Sequence, residues 1–256
     1  MGEYEGLKLE VSDYIAIVRI DRPPANALSW QLYKDIEAVF REVGERTEDV
    51  RVAILTGTGK YFCAGRDIKV ASNDPPEKRN ASVRAAFASL LHCAVPVIAA
   101  VNGAALGGGL TLVLDCDIIY ASDQATFGLP EINSALCGGF TSTRRGFNTY
   151  QGRRLYFTGE SVSADLLHRW GIVDTVTSPE DLMPEAMKLA RVLAAKSPLA
   201  LRSAKWSANE VEKILDFEQA YRAVESRVTL GLAKSEDHAE AVRAFKEKRD
   251  PVWVGR

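Results

Sequence analysis

Apolar and polar positions alternate through Leu7, Leu9 and Val11, and the run YIAIVRI at 14–20 is rich in β-branched residues. Ser12-Asp13 between them is a turn signal, so residues 6–20 read as a β-hairpin that Arg22-Pro23-Pro24 brings to an end. The spacing then becomes helical. Leu32, Ile36, Val39, Phe40 and Val43 fall on one face, Ser29 is a good N-cap and Gly44 a stop signal, predicting a helix over about 30–43. VRVAILTG at 50–57 is continuously apolar, the pattern of a strand buried on both faces, and VPVIAAV at 95–101 repeats it. Between them lie a glycine-punctuated loop, GTGKYFCAGRDI, a polar insertion at 71–80, and a helix predicted over about 79–92. A short helix of roughly 108–114 follows three glycines, and CDIIYAS (116–122) and ATFGL (125–129) read as short strands. From about 140 the chain turns helical. SADLLHRW before Gly171 carries both cap signals, and IVDTV (172–176) reads as one last strand.

Beyond about residue 180 helix follows helix. Ser197-Pro198 marks a joint, and Ser235 opens a final helix whose face carries Ala239, Val242 and Phe245 and which stops before Pro251. The pattern therefore describes an α/β (α+β) body over residues 1–195 and a helical C-terminal region over 196–256, with no internal repeat of fixed period.

Composition narrows the partners. The 256 residues are 46% hydrophobic and 26% charged, with a formal net charge of −2, which gives no general case for nucleic acid or a membrane surface. No apolar run approaches the roughly 18 residues of a membrane span, and the start MGEYEGLKLEV lacks the basic and apolar regions of a secretory signal. Cysteines 63, 93, 116 and 137 are scattered without a C-x-x-C pair, as expected of free thiols in a reducing cytoplasm. Histidines 92, 168 and 238 are far apart, so no metal site is predicted.

The glycines change the picture most. Gly107-Gly108-Gly109 sit between a buried strand and a helix, but the run is not G-x-G-x-x-G, and GTGKYF lacks the spacing and the hydroxyl residue of a phosphate loop. Close helix–strand packing explains one such glycine well and three poorly. A helix N-terminus presents unpaired N–H groups and positive dipole, and a glycine there lets a ligand oxygen approach. A second donor is expected from FCAGRDI, which follows strand 50–57.

FCAGRDI, AVNGAALGGGLTLVLDCDIIYAS and ATFGLPEI, in that order and spacing, resemble the crotonase (enoyl-CoA hydratase/isomerase) superfamily. RPPANALS near the start and AFKEKRDPVWVGR at the end extend the resemblance over nearly the whole chain. It implies a spiral of ββα turns with two roughly perpendicular sheets. It also implies an acyl-CoA site in residues 1–195, and a helical region at 196–256 used for trimerisation and as a lid, trimers commonly pairing into hexamers. Coenzyme A enters as part of the substrate and no separate cofactor is implied. Carried over, the donors to the thioester oxygen become the backbone N–H groups of Arg66 and Gly108, and the CoA contacts the Ala64–Ile68 loop, with Gly65 in it and Asp67 and Ile68 near the adenine. Gly107 belongs to the same turn, and Phe245 and Lys248 match positions that close over the nucleotide, often from a neighbouring subunit. Lys248, in EKRD, reads equally well as a solvated helix-end charge. Glu131 stands in GLPEI where the family carries a catalytic carboxylate, and burial near a thioester α-carbon would raise its pKa toward neutral.

Two departures bear on the reaction. Familiar hydratases place a second glutamate where this chain has Thr111, and a hydroxyl orients water without serving as a base near pH 7. In INSALCGGF (132–140) a common proline-glycine turn is replaced by Cys137-Gly138-Gly139, with Cys137 either lining an acyl pocket or, by preference, a small buried thiol. A single carboxylate favours double-bond isomerisation of an enoyl-CoA. Hydration of a 2-enoyl-CoA, decarboxylation, thioester hydrolysis, a silent acyl-CoA-binding subunit and an RNA-binding subunit stay open.

Overall fold

In the computed structural model, which describes residues 4–70 and 73–256, the apolar runs pair into two sheets. β1 (Leu7–Ser12) and β2 (Ile15–Ile20) form the expected hairpin, Leu7 facing Ile20 and Ser12 facing Ile15. β2 then runs parallel to β3 (Val52–Gly57). β4 (Tyr61–Cys63) leaves for the second sheet, and β5 (Val97–Val101) returns beside β3. The alternation continues with β6 (Ala104–Leu106) beside β4, β7 (Ile118–Ser122) beside β5 and β8 (Thr126–Gly128) beside β6, all parallel. β9 (Ser161–Ser163) closes the second sheet antiparallel to β8, and β10 (Thr175–Thr177) closes the first beside β7. Each turn thus gives one strand to a six-stranded sheet and one to a four-stranded sheet, which is a spiral of ββα units.

The continuous apolar runs are continuous because both faces of the first sheet are covered. Ala53, Leu55, Val97 and Ala99 face a core shared with Leu32, Ile36 and Phe40 of α1 (Trp30–Glu45). Their neighbours Val52, Ile54, Ile98 and Ala100 face Leu182, Ala186 and Ala190 far along the chain. The two-residue period of a strand sorts the two sets.

Several boundaries differ from expectation. Gly44 does not end α1, which continues to Glu45 with Arg46 as its cap; a Cβ on Gly44 would come within 3.3 Å of the Ala94 nitrogen, so the glycine admits a neighbouring turn. α2 (Pro76–Leu91) starts inside the expected insertion, because Pro76 suits a first helical position; residues 71 and 72 of that insertion lie outside the described residues. β4, β6 and β9 have three residues each, too few for a periodic signal. The last strand begins at Thr175 because the Ile172 and Val173 N–H groups instead bond to the Leu167 carbonyl.

α3 (Gly108–Leu114) follows the glycines as expected. After it come α4 (Phe140–Gly146), α5 (Thr149–Thr158), α6 (Ala164–Arg169) and α7 (Leu182–Ala194), which carries the second-face residues. The C-terminal helices are α8 (Pro198–Val211), α9 (Phe217–Ala220), α10 (Ser226–Leu232), reached through a wide turn at Tyr221–Glu225, and α11 (Glu236–Glu247). α8 is fastened by the buried Lys205 ammonium, which donates to the Leu90 and Val95 carbonyls at 3.1 and 3.0 Å and to Asp117 at 2.8 Å.

In the single chain α11 turns its apolar face outward. Ala239, Val242 and Phe245 are exposed, Phe245 at 86%, while Asp237, Glu240 and Ala244 are buried. The cause is the chain end, which folds back so that Asp237 accepts from Ser197 and the Val254 and Gly255 N–H groups, and Glu240 from Arg243, Arg249 and the Val252 N–H. Among the described residues no helix is long and apolar enough to cross a membrane.

Candidate active site

Two strand-to-loop junctions meet side by side. Behind β4, residues 64–68 form a loop held by an isolated parallel bridge between Leu28 and Arg66. Leu28 donates to the Gly65 carbonyl at 2.8 Å and accepts from the Asp67 N–H at 2.9 Å. In such a bridge the flanking residues supply the bonds, so the Arg66 N–H between them points away from Leu28 and has no backbone partner among the described residues. Gly65 takes φ +86°, and a Cβ there would meet the Leu106 carbonyl at 2.6 Å and stand 3.4 Å from the Gly108 nitrogen. The Arg66 loop and the start of α3 therefore lie against one another, with Gly108 at the first helical position, where no intrahelical acceptor is available to its N–H.

The three consecutive glycines serve three neighbours. Gly107 has φ +54°, and a Cβ would collide with the Glu131 carboxylate. A Cβ on Gly108 would lie 2.9 Å from Leu28 Cδ1 and 3.3 Å from the Tyr33 hydroxyl. One on Gly109 would run into the Cys63 carbonyl, so only this last glycine is explained by helix–strand packing.

Glu131 comes from a 3₁₀ turn over Pro130–Ser134 that follows β8, and the Gly107 N–H donating to the Gly128 carbonyl at 2.8 Å ties that strand to the glycine turn. Its Oε2 is the one buried side-chain nitrogen or oxygen among the described residues without a hydrogen-bond partner. Burial raises the Glu131 pKa above its ordinary value, against the opposing pull of its own backbone N–H and the Arg66 charge. The carboxylate is poised to hold or accept a proton.

Glu131 opens onto a cavity of about 920 Å³ that is also lined by Ala64, Gly65, Arg66, Asp67, Ile68, Gly107, Gly108, Thr111 and Cys137. Ile68 is 83% exposed at its rim, and Asp67 is paired with Arg22 at 2.8 Å. Thr111 is buried, its hydroxyl 3.3 Å from the Gly107 carbonyl. One turn further, Asp115 is a second buried carboxylate, pushed up to about 6 by burial, but it is held by Ser142 and does not line the cavity. Cys137 is exposed rather than buried because the 3₁₀ turn ends in left-handed Ala135 and lifts the following segment to the cavity wall, where the thiol meets the Tyr156 hydroxyl. Phe245 and the left-handed cap residue Lys248 do not line this cavity in the single chain. Tyr33, Trp30 and Phe87 also line the cavity, although no motif in the sequence marks them. The 3.6-residue spacing of Tyr33 with Ile36 and Phe40 was the available signal, but it marks burial, not the hydroxyl's position.

Two backbone junctions and one under-partnered carboxylate around a deep cavity, on a spiral of ββα turns, define a crotonase-type protein. The enoyl-CoA hydratase/isomerase family model matches residues 10–256, and the chain belongs to that family of enzymes. It is 36% identical over 261 residues to the carnitinyl-CoA dehydratase of Escherichia coli K12, covering 98% of this chain and 99% of that one. The structure of an enoyl-CoA hydratase from Bacillus anthracis superposes with a TM-score of 0.91 at 30% identity, covering 98% of this chain and 100% of that chain. One from Mycobacterium smegmatis gives 0.91 at 29%, covering 97% and 99%.

Proposed function

We propose that the chain moves a proton on an acyl-CoA thioester through an enolate, with Glu131 as its single acid/base, and that double-bond isomerisation of an enoyl-CoA is the favoured outcome. The observation that carries this reading is the buried, unpartnered Glu131 Oε2 in a cavity with no acid at position 111. The Glu131 carboxylate takes a C2 proton from a 3-enoyl-CoA. The electron pair moves into the thioester carbonyl, and the oxyanion accepts from the Arg66 and Gly108 N–H groups. The Glu131 carboxyl then returns the proton to C4, giving the 2-enoyl-CoA. The Ala64–Ile68 loop, with its Asp67–Arg22 pair, holds the CoA portion. Cys137 and Thr111 border the acyl portion.

Assembly as a homotrimer or a dimer of trimers belongs to the same reading. It is supported by the large apolar side chains that the C-terminal region exposes, among them Leu215, Phe217, Leu230 and Phe245. In that assembly Phe245 and Lys248 would serve the nucleotide end of a neighbouring site.

A second reading, water addition to a 2-enoyl-CoA, is favoured by the relatives whose names are dehydratase and hydratase. There Thr111 would hold the water. Incubation with a panel of 2-enoyl- and 3-enoyl-CoAs separates the two. Isomerisation leaves the mass unchanged and shifts the ultraviolet spectrum, whereas hydration adds the mass of one water. Rapid hydration of crotonyl-CoA, with kcat/KM approaching about 10⁷–10⁸ M⁻¹s⁻¹, would overturn the preference for isomerisation.

A further inference from the structure

The cavity contains a polar group that the proposed proton transfer does not use. Tyr33 is 2% exposed, one turn into α1, where its own N–H is taken by the Ser29 carbonyl at 3.1 Å. Its ring is fixed edge-on against Phe87 and tilted against Trp30, each with centroids 6.0 Å apart. The side chain therefore has little freedom to swing its hydroxyl elsewhere. That hydroxyl reaches the cavity beside Gly108, 3.3 Å from where a Cβ would stand. No described protein group hydrogen-bonds to it, so the hydroxyl is left open to whatever enters the cavity. Leu28, Phe87 and Trp30 flank it, and the Arg66 and Glu131 charges of the same site lie within electrostatic reach.

A site that had only to enclose a hydrocarbon chain would be served better by phenylalanine, which fills the same volume without a hydroxyl to desolvate. The position also leaves the thioester oxygen with two backbone donors already facing it. Resting on the acyl-CoA reading of this cavity, we infer that Tyr33 is a specificity-determining residue. Its hydroxyl hydrogen-bonds an oxygen substituent, a hydroxyl or carbonyl, on the acyl group within the first carbons beyond the thioester. The preferred substrates are then oxygenated acyl-CoA thioesters rather than plain hydrocarbon ones. A polar contact of this kind discriminates strongly, because an acyl group without the oxygen leaves a buried hydroxyl unpaired.

The test compares binding of butyryl-CoA with that of 2-, 3- and 4-hydroxybutyryl-CoA by titration calorimetry, in the unmodified protein and in Tyr33→Phe. At least one hydroxy ester is expected to bind about ten- to a hundredfold more tightly than butyryl-CoA in the unmodified protein. Tyr33→Phe should erase that preference while binding butyryl-CoA at least as well, which also shows that its cavity is intact. Equal binding of all four esters by the unmodified protein, or a preference that survives in Tyr33→Phe, overturns the inference while leaving the acyl-CoA site standing. So does a Tyr33→Phe protein with unchanged ligand preference and slower turnover of every enoyl-CoA, since the hydroxyl would then serve the thioester oxygen. Failure of every ester to bind removes the acyl-CoA reading itself.

Discussion

Glu131 and Glu240 are both glutamates drawn into the protein, and they are treated in opposite ways. Glu240 in α11 accepts from Arg243, from Arg249 and from the Val252 N–H, and these partners hold its pKa well below the ordinary glutamate range. Glu131 is left with an oxygen that nothing bonds, and burial moves its pKa the other way. The first arrangement fastens the chain end to the last helix. The second leaves a carboxylate oxygen open to the cavity, as the proposed proton transfer requires. Complete pairing is what a structural carboxylate requires, and incomplete pairing in a cavity is what a proton-transfer group requires.

The comparison breaks most sharply at Glu131. Glu131→Gln preserves shape but cannot take a proton, so kcat should fall by about 10²–10⁴ with little change in CoA-ester binding. Near-normal turnover by this variant, on the substrate found by the panel, would remove Glu131 from the chemistry. Next in size is the donor pair. Gly108→Val puts a side chain where the thioester must approach and should lower kcat/KM by about 10²–10³. Arg66→Ala, which keeps its N–H, should leave most of the turnover. Equal damage from both variants in steady-state kinetics would mean that the guanidinium itself acts.

Smaller effects test the fastening. Glu240→Gln should lower Tm at pH 7, because the paired carboxylate is lost. A depressed folded-state pKa contributes stability that is present above the unfolded value and fades as the pH falls through the folded one. The deficit should therefore shrink below about pH 4. Glu131 has the opposite sign. Its raised pKa makes the folded state hold the proton more tightly, so ionisation costs stability as the pH rises through that value. Glu131→Gln should gain a little Tm at pH 7–8, and the gain should vanish toward about pH 4. Thermal scans of both variants across this range that moved in parallel would show that the two glutamates do not differ in kind.

Much of this was legible in the chain itself. The hairpin at 6–20, the Ser29-capped helix, the buried strands, the α3 helix after the glycines and the glycine-rich motifs were set by local periodicity, caps and backbone requirements, which neighbouring residues carry. The resemblance those motifs carry to the crotonase superfamily, not local periodicity, brought Glu131, Arg66, Gly108 and Thr111 into view as a group. Local pattern could not reveal the three-residue strands β4, β6 and β9, because pairing with distant strands, not propensity, makes them. It could not tell which face of α11 packs inward: the folded-back chain end claims the face of Asp237 and Glu240 and leaves the apolar residues exposed. It left Cys137 between a pocket-lining residue and a small buried thiol, and only the turn that carries it to the cavity wall decides for the former. Tyr33 was hidden for the same reason: helical spacing tells that a side chain is buried, but only the packing of α1 against α2 and the glycine turn decides that its hydroxyl ends in a cavity without a partner. Residue type and spacing determine which groups are available. Which of them are left unpaired depends on contacts between residues far apart in the chain, and those exist only once the spiral has closed.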